Sequence, residues 1–276
     1  GMDSSVFTAC SNKLAFTTDS YVVSPLFFKG GDIGKLAVYG TVNDLSVSGA
    51  KPLYLSCGFI LEEGLSIDIL KRIVISMSDA CQKANVKIIT GDTKVVEKGC
   101  VDKIYINTSG VGSFENEFSQ KDIQCGDKII VTGAIAEHGT VILLERYGID
   151  INGNFKSDCN PLNHIVEKIS EYSNDIKLMK DCTRGGLATA LHEISDRTGL
   201  GIEIKEECIP VRREVRAVND IFGLDPMYLA CEGRMLIVVS EGKADEILNK
   251  IIQMEDCNDA NIIGSFVADY SKVVYM

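Results

Sequence analysis

Positive charge is scarce in this sequence: 28 lysines and arginines stand against 39 aspartates and glutamates in 276 residues, a formal net charge of −11. A surface of that sign repels nucleic acid and anionic membrane, which excludes both as primary partners. Metal-binding spacings are missing too. The ten cysteines are never closer than 19 positions, no CxxC pair occurs, and His138, His164 and His192 are scattered. A zinc site or a thioredoxin-like motif is excluded on that spacing. There is no run of 18 apolar residues and no low-complexity segment, and no secretory leader is expected. The expectation is therefore a cytoplasmic chain with reduced thiols. What is present is 45% apolar and 24% charged residues, the balance of a globular protein, at a length that suits two domains.

Two halves repeat one rhythm. Residues 14–23, 52–61, 86–90 and 103–114 read as strands, with amphipathic helices over 34–48 and 67–85, the latter capped by Ser66. A polar stretch, 115–126, divides the halves. Beyond it come strands at 128–132, 202–205, 234–239, 261–267 and 272–275, and helices at 137–147, 161–173, 185–198, 212–222 and 243–254. The alternation predicts layered α/β sheets in two domains, 1–117 and 126–276, without deciding whether the strands are parallel.

Chemistry concentrates at element junctions. Asp19 sits among Thr17, Thr18 and Ser20 in an apolar strand, where a carboxylate is costly unless paired or ligating a cation; a strand-end position facing water is the plainer alternative. Lys29-Gly30-Gly31-Asp32-Ile33-Gly34-Lys35 leads into a helix, but it is not a Walker A loop, and a plain turn is favoured over a phosphate cradle. Asn43-Asp44 interrupts an apolar helix that disfavours both residues; oxygen ligation of Mg2+ would justify them. Gly91-Asp92-Thr93-Lys94 follows the strand at 86–90, the place where ligands collect in open α/β sheets, although Gly-Asp is also common in turns. Asp181-Cys182-Thr183-Arg184-Gly185-Gly186 is another strand-to-helix junction, with Arg184 able to fork onto a phosphate; Asp181 or Thr183 could equally be a helix cap. Glu232 at an apolar junction is a candidate base if burial raises its pKa, against the commoner solvated loop glutamate. Taken together, the repeated carboxylates beside hydroxyls, amides and glycine turns point to a Mg-nucleotide site.

The order of these segments resembles the superfamily of aminoimidazole-ribonucleotide synthetase, selenophosphate synthetase, thiamine-monophosphate kinase and HypE. TTDSYVVSPLFFKGGDIGKLAVYGTVNDLSVSGAKPLYLS, GDTKVV and DCTRGGLATAL look specifically like the hydrogenase-maturation family HypE, and the likeness covers nearly the whole chain. The resemblance implies a PurM-like fold of two α/β domains whose N-terminal sheets close into a barrel across a homodimer. It implies ATP and Mg2+ bound by Asp19, Asp44, Asp92 and Asp181. Asn43, Gly91, Thr93, Thr183, Arg184, Gly185 and Gly186 would help hold the nucleotide, with Lys94 stabilising charge and Glu232 as the base. The implied activity is ATP-dependent dehydration of a thiocarboxamide on a C-terminal cysteine to a thiocyanate, for the cyanide ligands of nickel-iron hydrogenase. HypF would be the carbamoyl donor and HypC–HypD the acceptor. The family's Pro-Arg-Ile-Cys tail and glycine-rich N-terminal segment are absent from this sequence, Lys29 stands for a customary proline, and Cys231 for an asparagine. The expectation is that this length of chain does not complete the self-modification cycle in the usual way. A small-molecule kinase or ligase of the superfamily, or a non-catalytic docking module, are the alternatives.

Overall fold

A computed structural model describes residues 13–114, 122–149, 151, 153 and 155–276. The ends of the expected first domain, and most of the expected linker, lie outside the described residues.

The first half opens with strand β1 (Leu14–Tyr21) and a short hairpin, β2 (Phe27–Phe28) and β3 (Gly31–Asp32). Helix α1 (Ile33–Val47) follows directly. The Asp32 carboxylate caps it, accepting from the N–H groups of Gly34 (2.8 Å) and Lys35 (3.1 Å). The amides that a phosphate would use are thus already occupied, and the glycine turn at 29–35 is a hairpin turn, as its plainer reading had it. Strand β4 (Lys51–Glu62), helix α2 (Ile67–Ala84), β5 (Lys87–Val96) and β6 (Ile104–Ser113) complete this half. Ser66 caps α2, and Asn85 ends it in the left-handed conformation.

The four long strands form one sheet in the order β1-β6-β4-β5, antiparallel except for the β4–β5 pair. Alternation along the strands sends Leu55, Cys57, Leu61, Ile104 and Ile106 into the core with α1 and α2. The opposite face is uncovered. Leu14, Phe16 and Ile60 are exposed there, beside a polar row of Ser20, Asn107, Gly58 and Asp92 that the strand register sets across the sheet.

The second half contains β7 (Lys128–Val131), α3 (Glu137–Arg146), α4 (Asn163–Ile169), β8 (Ile176–Asp181), α5 (Gly186–Thr198), β9 (Gly201–Ile204), α6 (Arg213–Phe222), β10 (Met235–Val239), α7 (Ala244–Ile252), β11 (Asn261–Val267) and β12 (Val274–Tyr275). Six strands pair in the order β12-β9-β11-β7-β10-β8. Only β12 runs parallel to its neighbour. Both faces are covered. Ile129, Val131, Leu236 and Val238 pack towards α5, and Ile130, Ile237 and Val239 towards α4 and α7.

Helix α1 lies between the two halves, which is why it is buried nearly all round and shows little amphipathic contrast. Val141, Leu144, Phe155 and Cys159 of the second half join the first half's core. No helix among the described residues is long and apolar enough to cross a membrane.

Candidate functional site

Three aspartates meet where β1, α1 and β8 converge. Thr17 and Asp19 occupy alternate positions of β1 on its α1 side, and the Thr17 hydroxyl donates to Asp44 Oδ2 at 3.0 Å. Asp181 ends β8 and is bonded by the Thr183 hydroxyl. Burial raises the Asp44 carboxyl to about 6, with Asp181 and Asp19 adding to the rise and Thr17 and Lys180 opposing it. Asp181 is raised as well, first by burial and then with help from Asp19, against Lys180 and Thr183. Glu232, in the loop before β10, is pushed to about 8 by burial and by the charges of Asp158, Asp181, Asp19 and Asp44. It is not the solvated loop glutamate of the alternative reading. Carboxylates that raise one another's pKa are a site short of positive charge. Asp44 and Asp181 border a cleft of about 980 Å3 whose walls also carry Thr17, Lys177, Lys180 and Arg197.

Asp92 lies elsewhere. Residues 91–96 do not follow a strand end; they continue β5, paired in parallel with β4 as far as Glu62–Val96. Thr93, Val95 and Val96 favour that extended backbone, and the partner strand holds it. Gly91 is required by close packing, since a Cβ there would lie 2.4 Å from the Cys57 carbonyl oxygen. Asp19, Thr108, Cys57 and Gly91 form one row across the sheet. β1 and β5 are its opposite edges, three strand spacings or about 14 Å apart. Asp92 and Lys94 alternate onto the uncovered face, away from Asp44 and Glu232. One copy of the chain therefore gathers Asp19, Asp44, Asp181 and Glu232, and leaves Asp92, Thr93 and Lys94 on a separate, exposed edge.

Two further expectations change. Asn43 is 2% exposed, and its amide is spent within the protein: Nδ2 donates to the carbonyls of Asn160 (3.1 Å) and Glu232 (3.2 Å), and Oδ1 accepts from the Leu162 N–H (2.8 Å). It joins the two halves rather than facing a ligand. The helix after Asp181 is capped by neither Asp181 nor Thr183. Gly185, in the left-handed conformation, is its first flanking residue, and no side chain caps it. Arg184 and Thr183 stand in that turn, Arg184 exposed. Thr17, Lys180 and Asp158 belong to the site and were not singled out. Thr17 carried a signal, a hydroxyl two positions from Asp19, but the other two become neighbours of the cluster only through the fold.

Among the described residues, no group of three histidine, cysteine or acidic side chains is close enough to hold a metal ion by itself. The donor set is all oxygen, which suits Mg2+ in a shell shared with water and phosphate and does not suit a protein-only cage.

A fold of two layered α/β halves with an acidic cleft between them defines the class, and the AIR synthase related proteins match it in sequence. Their N-terminal domain matches residues 1–114 and their C-terminal domain residues 124–276. The carbamoyl dehydratase HypE of Rhodobacter capsulatus is 44% identical over 266 residues, 96% of this chain and 78% of that protein. The HypE of Escherichia coli K12 is 42% identical over 96% of this chain and 80% of its own length. A crystal structure of the hydrogenase maturation protein HypE in complex with ATP superposes with a TM-score of 0.92 at 44% identity, covering 96% of this chain and 79% of that one. The chain belongs to the HypE family. A thiamine monophosphate kinase from Aquifex aeolicus, at 19% identity and a TM-score of 0.72, shares the fold.

Proposed function

We propose that this chain is an ATP-dependent carbamoyl dehydratase of hydrogenase maturation, with Asp19, Asp44 and Asp181 facing the phosphates and Glu232 as the base. The observation that carries the reading is that those four carboxylates stand near enough to raise the carboxyls of Asp44 and Glu232, with Asp44 and Asp181 on the wall of one cleft, in a chain 44% identical to a HypE crystallised with ATP. Asp19, Asp44 and Asp181 would hold Mg2+ together with water and phosphate, and the ion would supply the positive charge that this cluster lacks. Thr183 and Arg184 lie in the turn beside Asp181, placed to orient a phosphate.

The reaction places a thiol-bound carbamoyl group against the γ-phosphate. Its amide oxygen takes the phosphoryl group and ADP leaves; the nitrogen loses its protons as phosphate departs and the C≡N bond forms. A carboxylate raised to about 8 suits the acceptance of such a proton near neutral pH. Lys94 neutralises the charge that develops on the departing phosphate.

Asp92 and Lys94 reach this cleft from a second copy of the chain. The uncovered sheet face, with Phe16 71% exposed, is the surface that pairs, and the pairing brings β5 of one copy beside β1 of the other. A HypE–HypF complex is known for a relative 46% identical to this chain. This protein takes its carbamoyl group from a HypF partner in the same way, with the HypC–HypD complex as acceptor and the cytoplasm as the compartment.

Calorimetry with Mg-ATP tests the site. Asp44→Asn and Asp92→Asn each weaken binding by about tenfold or more, near 1.4 kcal/mol per decade. Unchanged affinity in both contradicts the assignment.

A further inference from the structure

Residues 157–164 form the seam between the two halves. The Ser157 N–H donates to the Lys29 carbonyl, Lys83 Nζ to Asn160 Oδ1, and Asn163 Nδ2 to the Ala84 carbonyl. Two contacts at this seam converge on one residue of the site. The Asp158 carboxylate, its side chain fully buried, accepts the N–H of Glu232 (3.3 Å) and the N–H of Gly233 (3.2 Å). From the other domain, Asn43 donates to the carbonyl of that same Glu232 at 3.2 Å.

We propose that Asp158 and Asn43 are positioning residues that clamp the backbone of Glu232 from both domains and so set where its carboxyl stands relative to Asp44. The inference rests on the reading of Glu232 as the base. Three features of the geometry carry it. Both backbone polar groups of Glu232 are held by side chains, where a loop would ordinarily offer them to water. Asn43 precedes Asp44 on α1, so the residue that grips Glu232 is rigidly attached to the neighbouring carboxylate. The clamp also has no slack. A Cβ on Gly233 would lie 1.9 Å from the Asp158 carbonyl oxygen, so the chain approaches more closely there than any other residue permits. Behind Asp158 stands Arg234, 4% exposed, with Nε 3.9 Å from the carboxylate. Arg234 is itself fixed by Glu137 (3.0 Å) and by the Ala134 and Asp256 carbonyls (both 3.0 Å). The buried charge of Asp158 is therefore compensated, and its oxygens stay directed at the Glu232–Gly233 amides.

Such a residue acts on the rate of the reaction and hardly on nucleotide affinity. The test measures phosphate release from Mg-ATP with an S-carbamoyl thiol peptide, in the unsubstituted chain and in Asn43→Ala, Asp158→Ala and Asp158→Asn. Both alanine variants lower kcat by about a hundredfold, the scale of an ångström-sized misplacement. KM for Mg-ATP stays within about threefold, because no group that binds it is removed. Asp158→Asn, which keeps an acceptor oxygen, recovers about tenfold over Asp158→Ala. A tenfold rise in KM with kcat unchanged would make Asn43 a nucleotide ligand and overturn the proposal, as would alanine variants that turn over like the parent. If Asp158→Ala does not fold, Asn43→Ala decides alone. If the unsubstituted chain has no turnover, the proposed function fails instead. The clamp is then read by hydrogen exchange: the Glu232 and Gly233 amides are protected in the parent and exchange about a hundredfold faster in Asp158→Ala. Equal exchange in both overturns it.

Discussion

The two sheets of this protein solve the burial problem differently. The C-terminal sheet is covered on both faces, and all five residues of β10 are buried. The N-terminal sheet has helices on one face only, and its other face leaves Leu14, Phe16 and Ile60 exposed beside a polar row that includes Asp92. A domain that stands alone has no need of that apolar face. The proposed site residues divide too, though not sheet by sheet. Asp44, Asp181 and Glu232 sit at the closed junction of the halves, and Asp92 and Lys94 on the open surface. The covered sheet has its apolar residues buried within the chain, whereas the uncovered one keeps an apolar face, with Asp92 on it, that a further surface could cover.

Three experiments break or sharpen that contrast. The largest effect belongs to the covered sheet. Ile237→Asp puts a carboxylate where the parent residue is 0% exposed and costs about 4 kcal/mol or more, read as a collapse of the urea midpoint. On the open face, Phe16→Asp leaves the fold intact by circular dichroism but converts a dimer to a monomer in sedimentation. A sedimentation coefficient that does not change would mean that this face is not the contact.

The third experiment varies pH. Burial raises the folded carboxyls of Asp44 to about 6 and Glu232 to about 8, above their unfolded values. The folded state thus binds protons that the unfolded state has released, and it loses stability as pH rises from about 4 towards 8. The melting temperature of the ligand-free protein falls over that window. Asp44→Asn flattens its lower part and Glu232→Gln its upper part. A melting temperature that rises between pH 5 and 8 in the parent, and equally in both variants, contradicts the assignment.

Much of this fold was legible along the chain, because α2 and most strands declare themselves in apolar period and caps such as Ser66. The oddity of Asn43-Asp44 in an apolar helix was legible too, yet its cause was split. Asp44 faces the cleft, whereas Asn43 bonds residues more than a hundred positions away, which no local pattern encodes. The Gly91-Asp92 turn was misplaced for a related reason. Gly-Asp favours turns locally, and only the pairing with β4 keeps the segment extended. Asp158 looks like an ordinary loop acid until the fold brings Gly233 against it. The acidic cluster itself was visible residue by residue: Asp19, Asp44, Asp181 and Glu232 were all singled out, and the fourth aspartate proposed beside them lies across the sheet.

The claim that the site is shared between two copies is tested most directly by mixing. Asp44→Asn and Asp92→Asn are prepared separately, each with impaired Mg-ATP binding, then combined in equal amounts and allowed to exchange subunits. If each site takes Asp44 from one copy and Asp92 from its partner, random exchange restores about a quarter of the sites to parental affinity. If both residues serve one site within a single copy, no mixed dimer has an intact site, and calorimetry of the mixture shows only the two weak affinities of its parts.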